Sequence, residues 1–339
     1  MLEYLKELCL LDGTSGREEK IRNYIISKID GKCEYKVDPM GNILADVKGK
    51  NPSKNKVMIS AHMDEVGFIV TYICDNGFLK FNSVGGVDSK VVNGRFVTVG
   101  ENKINGVIAS KAVHLCEGDE EHKVNELSKL YIDIGASSKE EAEKLIEIGD
   151  AVYFKSDFVE FGSSKIKAKA IDDRFGCAIM LKMIEETPEY DTTFAFLVQE
   201  EVGLRGAVPA AFTVNPDYAI VLEATTASDI AFVSDEDSVC RQGEGAVVSF
   251  MDRSTVYNRE MFKNAFRIAK ESGIKIQPKT TVAGGNDAGA IHKSRGGVYT
   301  ITISLPCRYI HSGTSVADKR DMTECYSLAK ALLKEYANA

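Results

Sequence analysis

From residue 166 onward the hydrophobic pattern switches repeatedly between two periods, and this restricts the fold more than any other feature of the chain. Helical spacing from Arg174 to Glu186, an apolar run from Thr193 to Val198, helical spacing from Gly206 to Phe212 and a second apolar run from Tyr218 to Leu222 predict helix and strand in turn. Strands separated by helices pair parallel, because the crossover returns the chain to the same end of the sheet. The expected fold class is therefore α/β, with a mainly parallel sheet covered by helices. Asn258 to Ser272 reads as a further amphipathic helix, Gly297 to Leu305 as a strand and Thr323 to Tyr336 as a terminal helix.

The amino-terminal side has a different texture. Leu2, Leu5, Leu8 and Leu10 recur at roughly helical spacing, and Thr14 to Glu18 offers a capping start for a second helix running through Ile29. Lys56 to Ala61, ending at His62, reads as a buried strand. From Gly67 to about Lys165, short β-rich pieces (Phe68 to Ile73, Arg95 to Val99, Gly106 to Ile108, Ala151 to Phe154) are broken by Gly and Asn, as in an inserted small β domain. Within it, Ser137 to Ile148 carries a helix start signal.

Composition removes several functions. With 42 Lys+Arg against 50 Asp+Glu the formal charge is −8, which disfavours a nucleic-acid partner. No apolar run reaches the ~18 residues of a membrane span, and the first twenty residues lack the layout of a signal peptide. The eight cysteines are scattered without a CxxC pair, so they read as buried thiols in a reducing compartment, and a cytoplasmic location is expected.

Acids and histidines gather at the expected strand ends. His62-Met63-Asp64-Glu65 follows one strand, Glu200-Glu201 another, Glu223 a third, and His311 the strand ending at Leu305. In open α/β sheets ligands collect at the carboxyl ends of strands, so these side chains can meet in one crevice. Taken singly, each acid could equally cap a helix and each histidine could be structural. In His62-x-Asp64, the imidazole can bind a metal while the carboxylate orients the ring. Adjacent carboxylates such as Glu200 and Glu201 point apart, so one can bind metal while the other takes a proton from water. Asp172-Asp173 is either a helix cap or the source of a carboxylate bridging two cations. His62, Asp172, Glu201, Glu223 and His311 make a mixed N/O donor set without thiolates, suited to zinc, cobalt or manganese.

The strings AHMDEVGF (61–68), AIDDRFG (170–176), QEEVGLRGA (199–207), GGNDAGAI (284–291) and RYIHS (308–312) together resemble the signature blocks of the glutamyl/deblocking aminopeptidases, the cocatalytic metallopeptidases that include the tetrahedral aminopeptidases. The resemblance implies a dinuclear-metal exopeptidase fold. Residues 1–66 and 166–339 would form the catalytic domain, and residues 67–165 an inserted β-barrel-like dimerisation domain. It also implies two divalent metal ions per subunit, His62 on one and His311 on the other, bridged by Asp172, with Glu201 as a further carboxylate ligand. Glu200 would be the general base, Asp64 the acid orienting His62, and Asp173 the companion of Asp172 across an unusual peptide bond. Gly284, Gly285, Asn286 and Asp287 would lie beside the substrate pocket. Two positions depart from the family pattern: Glu223 stands where Asp is commoner, and Asn286 where Thr is frequent.

The implied activity is release of amino-terminal residues from peptides with a free amino terminus, by a homo-oligomer, often a dodecamer in such families. Arg253 is weighed both as a partner for an acidic substrate side chain and as a surface residue. His114, His122 and His292 have no evident metal partners. The rival readings are an endoglucanase-like hydrolase, against which the absence of Trp counts, and a catalytically silent metal-binding assembly protein.

Overall fold

The computed structural model describes residues 1–116 and 124–339, which leaves His122 outside the described residues. The large sheet runs Glu34–Val37, Ile43–Val47, Thr192–Leu197, Val57–His62, Tyr218–Thr226, Tyr299–Arg308, Ser315–Asp318, Lys165–Ala168, Val159–Phe161. Its four central strands are parallel, in the order Thr192–Leu197, Val57–His62, Tyr218–Thr226, Tyr299–Arg308. The parallel reading applies to this centre. Both flanks are antiparallel, because a short turn suffices to link strands such as Glu34–Val37 and Ile43–Val47, or Val159–Phe161 and Lys165–Ala168. The sheet is therefore mixed, and the chain rejoins it at Val159, before residue 166.

The central strands are buried along their length because helices cover both faces. Helices Leu2–Leu10, Glu19–Ile29, Ile171–Glu185 and Lys319–Asn338 pack with Ile59, Phe194, Ile220 and Ile303 in the larger core. Ala207–Val214 and Ala288–Ile291 pack with Met58, Leu197 and Val221 on the other face. Among the described residues no helix is long and apolar enough to cross a membrane.

The β-rich stretch closes into a six-stranded barrel in the order Gly67–Ile73, Leu79–Val84, Tyr131–Asp133, Ile104–Ala109, Phe96–Val99, Ala151–Phe154. Its core is organised around Phe68, whose ring meets Phe81 and Phe154 edge-on at centroid distances of 5.0 and 5.2 Å. Leu79–Val84 (LKFNSV) loses its alternation after Phe81, and Tyr131–Asp133 has only three residues, so neither is read from sequence. The helix expected over Ser137 to Ile148 shrinks to Lys139–Ala142. Ser138 does cap it, accepting from Glu141 N–H, but the chain must turn at Gly149 (φ 94°) to begin the strand at Ala151. At the near end of the barrel Gly67 is required by close approach, since a Cβ there would lie 2.3 Å from Thr14 Cγ2. All eight cysteines are free thiols, five buried and three (Cys33, Cys74, Cys116) half-buried.

Candidate metal centre and active site

Strand register builds the first half of the site. Ser60 pairs with Val221 across parallel strands, so His62 and Glu223, two residues further along each, project from the same face. His62 Nε2 lies 3.5 Å from Glu223 Oε1 and 3.5 Å from Asp172 Oδ1. Its other nitrogen, Nδ1, sits 3.1 Å from the Asp64 carbonyl and 3.4 Å from Asp64 Oδ1, which fixes the ring orientation.

The second half faces it across Asp172. His311 Nε2 is 3.4 Å from Asp172 Oδ2 and 3.4 Å from Glu201 Oε2, while His311 Nδ1 is 2.8 Å from the Gly86 carbonyl, just past the barrel strand Leu79–Val84. One carboxylate thus addresses both histidines, an oxygen to each. Asp172 is joined to Asp173 by a cis peptide bond, and regular helix continues from Arg174. Asp173 turns inward, accepting from His62 N–H at 3.2 Å and Gly176 N–H at 3.1 Å. Gly176 is needed there, because a Cβ would meet both Asp173 oxygens at 2.7 Å.

Asp64 is fully buried and ties the acid pair to the first strand. Its carboxylate accepts from Glu200 N–H (3.0 Å), Glu201 N–H (3.1 Å) and Ser15 Oγ (2.6 Å). Burial alone would raise its pKa, but His62, Ser15 and the Glu200 amide hold it below the usual carboxylate range. Against its burial, His311 and His62 likewise hold Asp172 low, whereas the three glutamates behave oppositely. Burial, then neighbouring carboxylates, push Glu201 up to about 7 and Glu200 and Glu223 well above their ordinary values.

These side chains fit cations. Among the described residues, Asp172 Oδ1 and Glu223 Oε2 are buried oxygens without a hydrogen-bond partner, an expensive state that a divalent ion relieves. Donor atoms of His62, Asp172 and Glu201 lie within 4.8 Å of one another, as do those of His62, Asp173 and Glu223.

A cleft of about 450 Å³ opens over this centre. Asp172, Glu200, Glu201, Glu223 and His311 line one part of it, and Gly284 and Gly285 lie on its wall as expected. Asn286 and Asp287 are buried behind that wall. Arg253 is exposed and not part of the lining. The cation on the wall is instead Lys279, 8% exposed, whose Nζ donates to the Ala283 carbonyl at 2.8 Å. Burial lowers its pKa. A lysine just past the short strand Ile276–Pro278 carries no local signal, so sequence reasoning missed it. His114 is exposed, and His292 Nδ1 is spent on the Ala288 carbonyl at 2.7 Å.

A family model described as M42 glutamyl aminopeptidase matches residues 41–328. The chain belongs to this family. A protein of Acetivibrio thermocellus is 42% identical over 334 residues, covering 97% of each chain. Aminopeptidase APDkam598 from the archaeon Desulfurococcus kamchatkensis superposes with a TM-score of 0.93 at 35% identity, covering 98% of this chain and 94% of that one. The Pyrococcus horikoshii TET1 peptidase, described as assembling into a tetrahedron or a large octahedral shell, gives a TM-score of 0.85 at 34% identity, covering 98% of both chains. Membership of the M42 family makes the chain an aminopeptidase, a peptide hydrolase.

Proposed function

We propose that this M42 enzyme is a dinuclear metalloaminopeptidase. His62 and Glu223 would hold one divalent cation, His311 and Glu201 the other, and Asp172 both. The observation that carries this reading is the position of Asp172, with its two oxygens 3.5 and 3.4 Å from the Nε2 atoms of two different histidines. The donor set suits zinc or cobalt, and manganese next. When bound, such ions polarise a carbonyl and make water acidic near neutral pH.

Within the protein, Glu200 lines the cleft and takes the proton of the attacking water, then returns it to the leaving amine. Burial, which raises its pKa, suits it to both transfers. Asp64 orients His62 and anchors the Glu200 and Glu201 amides. The carboxylate-rich floor favours the substrate's α-ammonium group. Lys279, buried on the cleft wall, favours an acidic side chain on the amino-terminal residue.

A homo-oligomer is proposed from the shells formed by the P. horikoshii relative, a dodecamer being the expected form, with the barrel as a contact module. Eight free thiols accord with a cytoplasmic location. A glucanase reading finds no support in the cleft, whose lining among the described residues contains no Phe, Tyr or Trp to stack on a sugar.

The test is hydrolysis of aminoacyl p-nitroanilides by metal-stripped protein before and after return of Zn²⁺, Co²⁺ or Mn²⁺, for the natural sequence and for Glu200→Gln. Metal-restored release from unblocked substrates only, with turnover reduced ~10²- to 10⁴-fold in Glu200→Gln but metal still bound, is expected. Cleavage of N-acetylated substrates, or near-full activity in Glu200→Gln, would overturn the reading.

A further inference from the structure

The stretch from Thr14 to Glu18, which reads as a helix cap, does not cap the helix Glu19–Ile29: its N-cap residue, Glu18, makes no side-chain cap bond. Its polar groups reach instead to the turn that carries the acid pair. Gln199 holds φ 56°, a left-handed conformation that a non-glycine residue keeps only when its surroundings impose it. Three successive amides of this turn are each taken by a buried carboxylate. Gln199 N–H donates to Glu18 Oε1 at 3.2 Å, Glu200 N–H to Asp64 Oδ1 at 3.0 Å and Glu201 N–H to Asp64 Oδ2 at 3.1 Å.

Glu18 is 3% exposed, and the same Oε1 also accepts from Gly16 N–H at 2.8 Å. Next to Gly16, Ser15 donates to Asp64. The five-residue stretch is therefore a strap joining the two carboxylates. On the far side, Gly203 and Leu204 both donate to the Glu200 carbonyl at 2.9 Å, which closes the turn. Asp64 also touches His62, so its loss would disturb a proposed ligand. The hydrogen bonds of Glu18 reach none of the five ligand candidates among the described residues.

We propose that Glu18 is a positioning residue for the hydrolysis: by holding Gln199 N–H it keeps the turn in the conformation that aims Glu200 into the cleft. This rests on the reading of Glu200 as general base. A displacement of ~1 Å in a reacting group can cost ~10² in rate. Glu18→Ala should therefore lower kcat roughly 10- to 100-fold, with KM for an aminoacyl anilide and bound metal per subunit unchanged and the protein still fully folded at the assay temperature, although the loss of a buried acceptor lowers its Tm.

Two rescues separate positioning from general support of the fold. Glu18→Gln, whose amide oxygen can accept the same two N–H groups, should restore most of kcat. Adding Gln199→Gly to Glu18→Ala should restore part of it, because glycine occupies the left-handed region unaided. Full kcat in Glu18→Ala, a loss accompanied by missing metal or by unfolding at the assay temperature, or failure of both rescues would overturn the proposal. Glu200→Gln measured alongside keeps the two ideas apart. An active Glu200→Gln removes the base and the positioning together, whereas an inactive one beside a fully active Glu18→Ala removes only the positioning.

Discussion

Asp318 ends the strand Ser315–Asp318 and caps the helix Lys319–Asn338, and its replacement should cost more than an ordinary cap. The carboxylate is fully buried and accepts from Arg320 N–H (2.9 Å), Ser164 Oγ (2.8 Å) and Lys165 Nζ (3.0 Å), with the Arg320 guanidinium also at 2.8 Å. The cap contributes ~1 kcal/mol. The half-buried Lys165 bond adds ~1.5 to 3 kcal/mol and the Ser164 bond ~0.5 to 1.5 kcal/mol. The Arg320 side chain is 67% exposed, so its pairing adds at most ~1 kcal/mol. Asp318→Ala should therefore lose roughly 3 to 6 kcal/mol, and Asp318→Asn, which keeps a capping oxygen, roughly 1.5 to 3 kcal/mol.

The pH dependence gives an independent check. Burial would raise the Asp318 pKa, but Arg320, Lys165 and Ser164 outweigh it and hold the carboxyl well below its ordinary 3.8. Because the folded value is depressed, its stabilisation is complete above the unfolded pKa and is lost as pH falls below about 4. Urea unfolding followed by far-UV circular dichroism, at fixed protein concentration, would measure the gap between the natural sequence and Asp318→Asn from pH 7 down to pH 3. The gap should be constant down to about pH 5 and narrow below pH 4. A loss under ~1 kcal/mol for Asp318→Ala at pH 7, or a gap unchanged down to pH 3, would refute the reasoning.

Other outcomes can be checked in parallel. Phe68→Ala should destabilise by ~3 to 5 kcal/mol, since a fully buried ring contacting two others is removed; a loss below ~2 kcal/mol in urea titration would mean the barrel does not depend on that cluster. Asp172→Asn should lower the bound metal at both positions, and elemental analysis finding two ions per subunit at undiminished affinity would contradict a shared carboxylate. Lys279→Met should reduce kcat/KM for glutamyl anilides at least ~10-fold relative to leucyl anilides, and an unaltered ratio would remove Lys279 from substrate selection.

What the sequence showed and what it hid divide along contact range. His62 and Glu223 follow apolar runs that become neighbouring parallel strands, so a strand-end rule suffices to bring them together. His311 is found the same way, after the strand Tyr299–Arg308. Ser15 and Glu18 defeated local rules because serine and glutamate at a helix start look like a cap, while their real partners, Asp64 and Gln199, lie 49 and 181 residues away. The antiparallel flanks were hidden for another reason. Glu34–Val37 (EYKV) alternates polar and apolar residues over only four positions, too few to announce a strand, and as an exposed edge it has no buried face to mark it. In the barrel, three-residue Tyr131–Asp133 is simply too short to display a period.

The barrel's first and last strands are hydrogen-bonded neighbours, with Phe68 opposite Val152 and Ile69 opposite Ala151. The chain thus departs and returns at adjacent points, which is the geometry of a cassette that recombination or an engineer could exchange for another module with little change to the host. One atom limits that freedom. The Gly86 carbonyl, supplied by the cassette, meets the ring of His311, supplied by the host. A replacement module would have to present a hydrogen-bond acceptor at that spot to leave the histidine as it stands. The barrel is detachable in topology, but its exchange carries a constraint at the proposed metal site.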